Sequence, residues 1–230
     1  MSANHPIPRA IVLLSGGLDS ATCLLIALAE GFEVYALSFD YGQRHSIELD
    51  RARALARFYE AREHRVLRID LPSPKASALT DPAQAVPRHA LGREPIPVTY
   101  VPARNTLFLA HALSYAEGIG AGVIFIGANA LDYSGYPDCR PEFLKAFERM
   151  ANLGTRAGVE DTLAFEIRAP LLSMSKSQIV RRAWELGLEF QLTFSCYDPS
   201  GEGEACGACD SCLLRERGFR EAGITDPVKK

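Results

Sequence analysis

The sequence predicts an α/β protein: an open, parallel, five-stranded sheet with helices on both faces, followed by a small C-terminal metal knuckle. Three observations carry this. Short apolar runs alternate with helix-period segments, the rhythm of right-handed crossovers between parallel strands. The run Ala10-Ile-Val-Leu-Leu-Ser15-Gly16-Gly17-Leu18-Asp19-Ser20 joins the first such strand to the first helix through paired glycines. Cys196, Cys206, Cys209 and Cys212 crowd towards the C-terminus. A main unit over 1–190 with a four-cysteine segment over 191–230 packed on it is the expected organisation.

The first strand ends in a turn suited to pyrophosphate. Two adjacent glycines adopt dihedrals that other residues avoid and let the backbone approach a ligand. The amides that open the following helix carry its partial positive charge, which phosphate oxygens satisfy. Ser15 and Ser20 add hydroxyl donors, and Asp19 supplies a carboxylate to hold magnesium (Mg2+) or orient the loop. The alternative is an ordinary turn in which Asp19 or Ser20 only caps the helix. The motif lacks the Gly-Lys-Ser ending of a Walker loop and the spacing of a dinucleotide loop.

The remaining elements follow in order. Ala21 to Glu30 has Leu24, Leu25 and Leu28 at helical spacing and stops at Gly31. Val34 to Phe39 reads as the second strand, Ser46 to Ala61 as an amphipathic surface helix and Val66 to Leu71 as the third strand. Leu71 to Pro102 holds seven prolines and no sustained period, a long loop read as a lid or interface arm, or as an insertion without a role. Helix returns over Ala103 to Gly118, strand over Val123 to Gly127, helix over Pro141 to Leu153 and strand over Thr162 to Arg168. The last predicted helix, Lys176 to Leu186, opens with a capping box of Ser175 and Gln178 and ends before Gly187. A ligand of such a sheet sits beyond the carboxyl ends of its strands, where the strand order reverses.

With 230 residues, 47% of them hydrophobic, the chain can bury one full core and carry a small appendage. A formal charge of −3 gives no basic footprint for nucleic acid, which favours a free small molecule over a tRNA as substrate. Pro6 and Pro8 interrupt a polar start, and the apolar run Ile11 to Leu14 is too short to span a bilayer. A cytoplasmic protein with no membrane partner is expected. Its six cysteines then read as thiolates or buried thiols rather than disulfides. Cys196, nine residues, then Cys206-x-x-Cys209-x-x-Cys212 brings sulfurs around one centre. Four thiolates without histidine suit structural zinc (Zn2+), with an iron–sulfur cluster or a redox Cys-x-x-Cys pair as alternatives. Cys23 reads as a packed apolar residue.

The loop closely resembles the Ser-Gly-Gly-x-Asp-Ser loop of the PP-loop pyrophosphatases, within the adenine nucleotide alpha hydrolase-like folds, which adenylate an oxygen of the substrate and release pyrophosphate. The resemblance implies ATP. The nucleotide is expected along Leu14, Ser15, Gly16, Gly17, Leu18, Asp19, Ser20, Ala21, Thr22, Cys23 and Leu24, with Ser38 and Gly127 at neighbouring strand ends. Three further stretches narrow the family: Val101-Pro-Ala-Arg104-Asn105-Thr106, the run from Gly127 to Arg140, and Phe194-Ser-Cys196-Tyr197. Together they resemble the 7-cyano-7-deazaguanine synthase (QueC) family from Ile11 to Phe219, departing from it at Ala103, where glycine is expected.

That resemblance implies a homodimeric ligase that converts 7-carboxy-7-deazaguanine and ammonia into the nitrile, in queuosine biosynthesis, through an adenylated carboxylate and an amide. Asp19, Ser20, Lys176 and Arg104 are then the catalytic candidates, the two cations facing charge that develops on pyrophosphate. In the Tyr133 to Arg140 loop and just before it, Tyr133 or Tyr136 can stack on the flat base, Asp132 or Asp138 can accept from its donor edge, and Arg140 can hold the carboxylate. The bland alternatives are solvated surface cations at Lys176 and Arg104 and an Asp138–Arg140 pair. Two other functions compete: a PP-loop enzyme that thiolates tRNA through its cysteines, and a zinc-bearing ATP sensor without turnover.

Overall fold

The computed structural model describes residues 7–44, 47–91, 96–129, 135–201 and 203–228. Five strands, β1 (Arg9–Leu13), β2 (Glu33–Asp40), β3 (Glu63–Arg68), β4 (Val123–Phe125) and β5 (Glu166–Arg168), form one sheet in the order β3-β2-β1-β4-β5. Every neighbouring pair is parallel. The chain steps outward from β1 to β3, then crosses to the other side of β1 to lay down β4. The reversal therefore falls between β1 and β4, and the glycine loop that follows β1 opens there.

Alternation along β1 makes two cores. Ala10, Val12 and Leu14 join Leu24, Leu55, Phe125, Ile179 and Phe219 on one face. Ile11 and Leu13 join Leu37, Leu109, Ile124, Leu144 and Phe147 on the other. Successive side chains of a strand point to opposite faces, so a continuously apolar strand needs cover on both. The first face is covered by α1 (Leu18–Ala29), α2 (Ile47–Phe58), α6 (Lys176–Glu185) and α7 (Asp210–Ala222). The second is covered by α3 (Arg104–Ile119) and α4 (Pro141–Gly154), with the short α5 (Arg156–Val159) following α4. Among the described residues no helix is long and apolar enough to cross a membrane.

Three features differ from the sequence reading. Strand β3 starts at Glu63 rather than Val66: it lies at the sheet edge, so its backbone pairs with β2 from Tyr35↔Glu63 onward while its side chains stay half in water. Periodicity sees only the apolar part of such a strand. Helix α7 was not expected, because its few apolar residues and internal Gly218 weaken the helical signal. The proline-rich stretch, over its described residues, is no arm in solvent. Arg44 reaches the carbonyls of Ala78 (2.7 Å), Asp81 (2.9 Å) and Gln84. Val86 is buried against the cysteines, and His89 N donates to Ala208 O at 3.0 Å. The stretch is a strap tied to the knuckle.

Helix α7 is fastened by a buried ion pair. Arg215 meets Asp226 through Nε–Oδ2 (2.7 Å) and Nη2–Oδ1 (2.9 Å), and its Nη1 donates to Thr193 Oγ1 at 2.8 Å. Both charged side chains are less than a tenth exposed. Breaking such a pair leaves an uncompensated charge, which costs about 3–5 kcal/mol. Asp226→Ala should lower stability by that order in urea denaturation, and a change under about 1 kcal/mol would show that Arg215 finds water instead.

Candidate functional site

The loop after β1 is held open by its own backbone contacts. Gly16 has φ +86°, and a Cβ there would lie 2.2 Å from the Glu48 carbonyl oxygen of α2, so no other residue fits. The Phe194 amide donates to Gly16 O at 2.9 Å. Ser20 Oγ lies 3.0 Å from Ser15 Oγ, donates to Gly17 O at 3.1 Å and accepts from the Ser15 amide at 3.1 Å. Gly17 is the N-cap of α1 and no side chain caps that helix. The first-turn amides at the positive end of this twelve-residue helix are thus left without a side-chain cap.

These groups border a cleft of about 270 Å3 at the strand-order reversal. Lys176, the first residue of α6, donates to both oxygens of Asp19 at 2.9 and 2.8 Å, with both side chains largely shielded. The capping box that starts α6 is formed: the Ser175 amide donates to Gln178 Oε1 at 2.8 Å and the Gln178 amide to Ser175 Oγ at 3.3 Å. Gly218 of α7 makes room for the lysine stem, since a Cβ there would lie 2.4 Å from Lys176 Cγ. Gly127, after β4, lets that strand end close on α1; its Cβ would meet Ser20 N at 3.1 Å.

Opposite the loop, Arg104 opens α3 among aromatic rings. Its guanidinium sits 5.8 Å from the Tyr41 ring centre and 5.9 Å from that of Phe108, and donates to Tyr41 Oη at 3.3 Å. Burial opposes its charge, but the phenol oxygens of Tyr41 and Tyr136 outweigh that and hold it firmly protonated. Ala103 before it takes φ +53°, the left-handed conformation for which glycine is the unstrained choice. That conformation is the physical reason glycine suits the position.

Leu14, Ser15, Gly17, Leu18, Asp19, Ser20, Arg104, Gly127, Tyr136 and Lys176 all line the cleft, and Gly16 is buried beneath it. The rest of the expected set lies elsewhere. Ala21, Thr22, Cys23 and Leu24 belong to the buried body of α1, where Thr22 Oγ1 donates to Leu18 O at 2.8 Å and burial pushes the Cys23 thiol up. The helix turns them towards the core. Ser38 is buried too, its hydroxyl 2.8 Å from His64 Nε2, and ties β2 to β3. Asp138 is consumed at the start of α3: its Oδ2 accepts from the Asn105 amide at 2.9 Å and its carbonyl from Asn105 Nδ2 at 3.1 Å. Arg140 is exposed as the N-cap of α4, outside the cleft lining. Asp132 and Tyr133 lie outside the described residues.

Sequence reasoning missed Glu48, Asn105 and Phe108 as lining residues. Burial pushes the Glu48 carboxyl up to about 7, an effect that nearby Arg104 tempers. In sequence it is one more acid in the first turn of a charged amphipathic helix. Only the contact of α2 with Gly16 puts it at the cleft.

Cys196, Cys206, Cys209 and Cys212 bring their sulfurs within 4.8 Å of one another. Zinc–sulfur bonds of about 2.3 Å separate tetrahedral sulfurs by about 3.8 Å, so the donor set fits that ion after small adjustment. Amides of Asp198 (3.4 Å) and Cys206 (3.2 Å) point at Cys196 Sγ, that of Tyr197 (3.4 Å) at Cys209 Sγ, and that of Cys209 (3.3 Å) at Cys206 Sγ, which favours thiolates. The knuckle also walls the cleft. Phe194, Ser195 and Tyr197 flank Cys196, and Ser211, Leu214 and Arg215 follow Cys209 on α7; all six line it.

The Gly127 contact is a sensitive point, because the atoms a Cβ would press are backbone. Gly127→Ala should force β4 and α1 apart, costing about 1–3 kcal/mol in denaturant titrations and weakening nucleotide binding by calorimetry. Unchanged binding would mean that the loop geometry does not depend on this approach.

The model of the queuosine biosynthesis protein QueC family matches residues 9–223. A Geotalea daltonii protein named 7-cyano-7-deazaguanine synthase is 60% identical over 220 residues, 96% of this chain and 95% of the relative. One of the same name from an Anaeromyxobacter species is 58% identical over 229 residues, 98% of this chain and 97% of the relative. Among solved structures, NMN synthetase from Francisella tularensis superposes with a TM-score of 0.51 at 18% identity over 96% of this chain and 80% of that one, a likeness of fold. A match through both cores, the glycine loop and the cysteine cluster leaves one assignment: the chain belongs to the QueC family of queuosine biosynthesis proteins.

Proposed function

We propose that the protein makes 7-cyano-7-deazaguanine, the product in its relatives' name, and does so from 7-carboxy-7-deazaguanine and ammonia at the expense of ATP. The observation that carries the reading is the uncapped start of α1 facing a cleft in which a lysine–aspartate pair and a buried arginine converge. A carboxylate does not react with ammonia until one oxygen becomes a leaving group, which adenylation provides. Dehydrating the resulting amide to a nitrile needs the same activation of its oxygen, so one phosphate-gripping loop serves both steps.

The roles follow from position. The first-turn amides of α1, with Ser15 and Ser20, hold the phosphates that leave as pyrophosphate. Lys176 gives up its bond to Asp19 to neutralise charge growing on that leaving group, and Asp19 is then available to magnesium. Arg104 supplies a second fixed cation across the cleft. Tyr41, Phe108 and Tyr136 offer aromatic surface for a flat bicyclic base. Cys196, Cys206, Cys209 and Cys212 would hold zinc, which would supply ordering free energy to the segment that carries the Phe194 to Tyr197 wall. Sulfur transfer is disfavoured: four cysteines belong to the cluster, and Cys139, which lines the cleft, has its thiol pushed up to about 11 by burial.

Incubation with 7-carboxy-7-deazaguanine, ATP, magnesium and ammonium, followed by mass spectrometry, should yield the nitrile with AMP and pyrophosphate. Asp19→Ala should reduce the rate by about 100-fold or more. ATP bound but never cleaved would favour a sensor. Elemental analysis should find one zinc per chain; Cys209→Ser should lose it and lower the melting temperature. Full zinc content in that variant would remove Cys209 from the ligand set.

A further inference from the structure

Behind the wall formed by Glu48 and Arg104, a recess of about 40 Å3 branches from the main cleft. It shares Tyr41, Gln43, Glu48, Arg104 and Tyr197 with the cleft and is also lined by Leu79, Arg44 and Cys196. The recess is about a seventh of the volume of the main cleft, a size that suits a molecule of a few atoms rather than a bicyclic base or a nucleotide. Most of its polar walls are already engaged. The Arg44 guanidinium is spent on carbonyls of the strap and on Asp198, and the Gln43 amide spans Phe39 O (3.1 Å) and the Tyr41 amide (2.9 Å). Glu48 differs. Its carboxyl has no hydrogen bond or ion pair among the described residues, and the residue is only partly exposed.

We propose that this recess is the ammonia site and that the Glu48 carboxylate takes the proton from ammonium there. The proposal rests on the synthase reading given above. In the transfer one N–H bond of ammonium breaks and one O–H bond forms on Glu48, while the electron pair stays on nitrogen. A cation and a carboxylate become neutral ammonia and a neutral carboxylic acid. Arg104, held protonated at the same wall, disfavours a second cation beside it, while it also tempers the proton affinity that burial gives Glu48. Burial, which raises the carboxyl to about 7, makes Glu48 a better proton acceptor than an exposed glutamate. Ammonia then enters the cleft through the shared wall and attacks the activated carbonyl carbon. The C–N bond forms as the C–O bond to AMP breaks with its electron pair, and the nitrogen's next proton leaves through the open cleft to water.

The test is steady-state nitrile formation in wild type, Glu48→Gln, Glu48→Asp and Leu79→Ala at varied ammonium. Glu48→Gln should raise KM for ammonium by at least about tenfold, with KM for ATP and for the carboxylated base within about threefold, and Glu48→Asp should recover part of the loss. Leu79→Ala lengthens the recess by a buried side chain and should accept methylamine, yielding an N-methylamide that wild type does not form. A raised KM for the base with ammonium unaffected would make Glu48 a reader of the base and overturn the proposal. So would a Leu79→Ala enzyme that still refuses methylamine, an arm that stands even if the Glu48 variants fail to fold. Wild type that forms no nitrile at all sinks the synthase reading, and the recess with it.

Discussion

Everything at the site depends on how closely three backbones approach one another at the end of β1. Gly16 lies against the carbonyl of Glu48, and Gly127 lies against the first turn of α1. The first contact leaves no space for a single carbon, and the second leaves barely enough. They let α2 and β4 crowd the glycine loop from two sides, so the loop's shape is set by contacts within the protein itself. A site whose shape is fixed in this way spends little binding free energy on ordering the protein.

The same crowding couples the cleft to the metal knuckle. Lys176 reaches Asp19 because Gly218 gives passage to its stem, and Gly218 is placed by α7, whose N-cap is Cys209. A metal held by the cysteines would bear on the cleft through position. The wall from Phe194 to Tyr197 carries Cys196, and its backbone returns to the loop through the hydrogen bond from Phe194 to Gly16. The proline-rich strap completes the enclosure by tying Arg44 to its carbonyls and packing Val86 on the cluster. Prolines suit this task, since a stretch with fixed φ and few amide donors loses less entropy when it is pinned by its carbonyls.

Charge in the cleft is arranged in opposition. Asp19 and Lys176 neutralise one another beside the glycine loop, whereas Arg104 and Glu48 face the aromatic side without an ion pair between them. The latter is a charge imbalance maintained by burial, the condition under which proton affinity departs most from its value in water.

Much of the architecture was legible in the residues themselves. Strand–helix alternation, the uninterrupted apolar character of β1, the Ser175–Gln178 capping box and the cysteine spacing each encode a local requirement, and local requirements can be read from neighbours in sequence. So could Asp19, Ser20, Arg104 and Lys176, which sit at strand ends and helix starts. The edge strand β3, helix α7 and the docking of the strap were not legible, because tertiary pairing rather than periodicity holds them. Asp138, Ser38 and the inner residues of α1 show the same limit from the other side: polar or motif-adjacent residues that the fold turns away to cap, tie and pack. Glu48 completes the contrast. By itself the sequence determined the sheet, the glycine loop and the clustering of the four cysteines; only the tertiary structure decided which side chains share the cleft, since that depends on helix crossings between residues more than thirty positions apart.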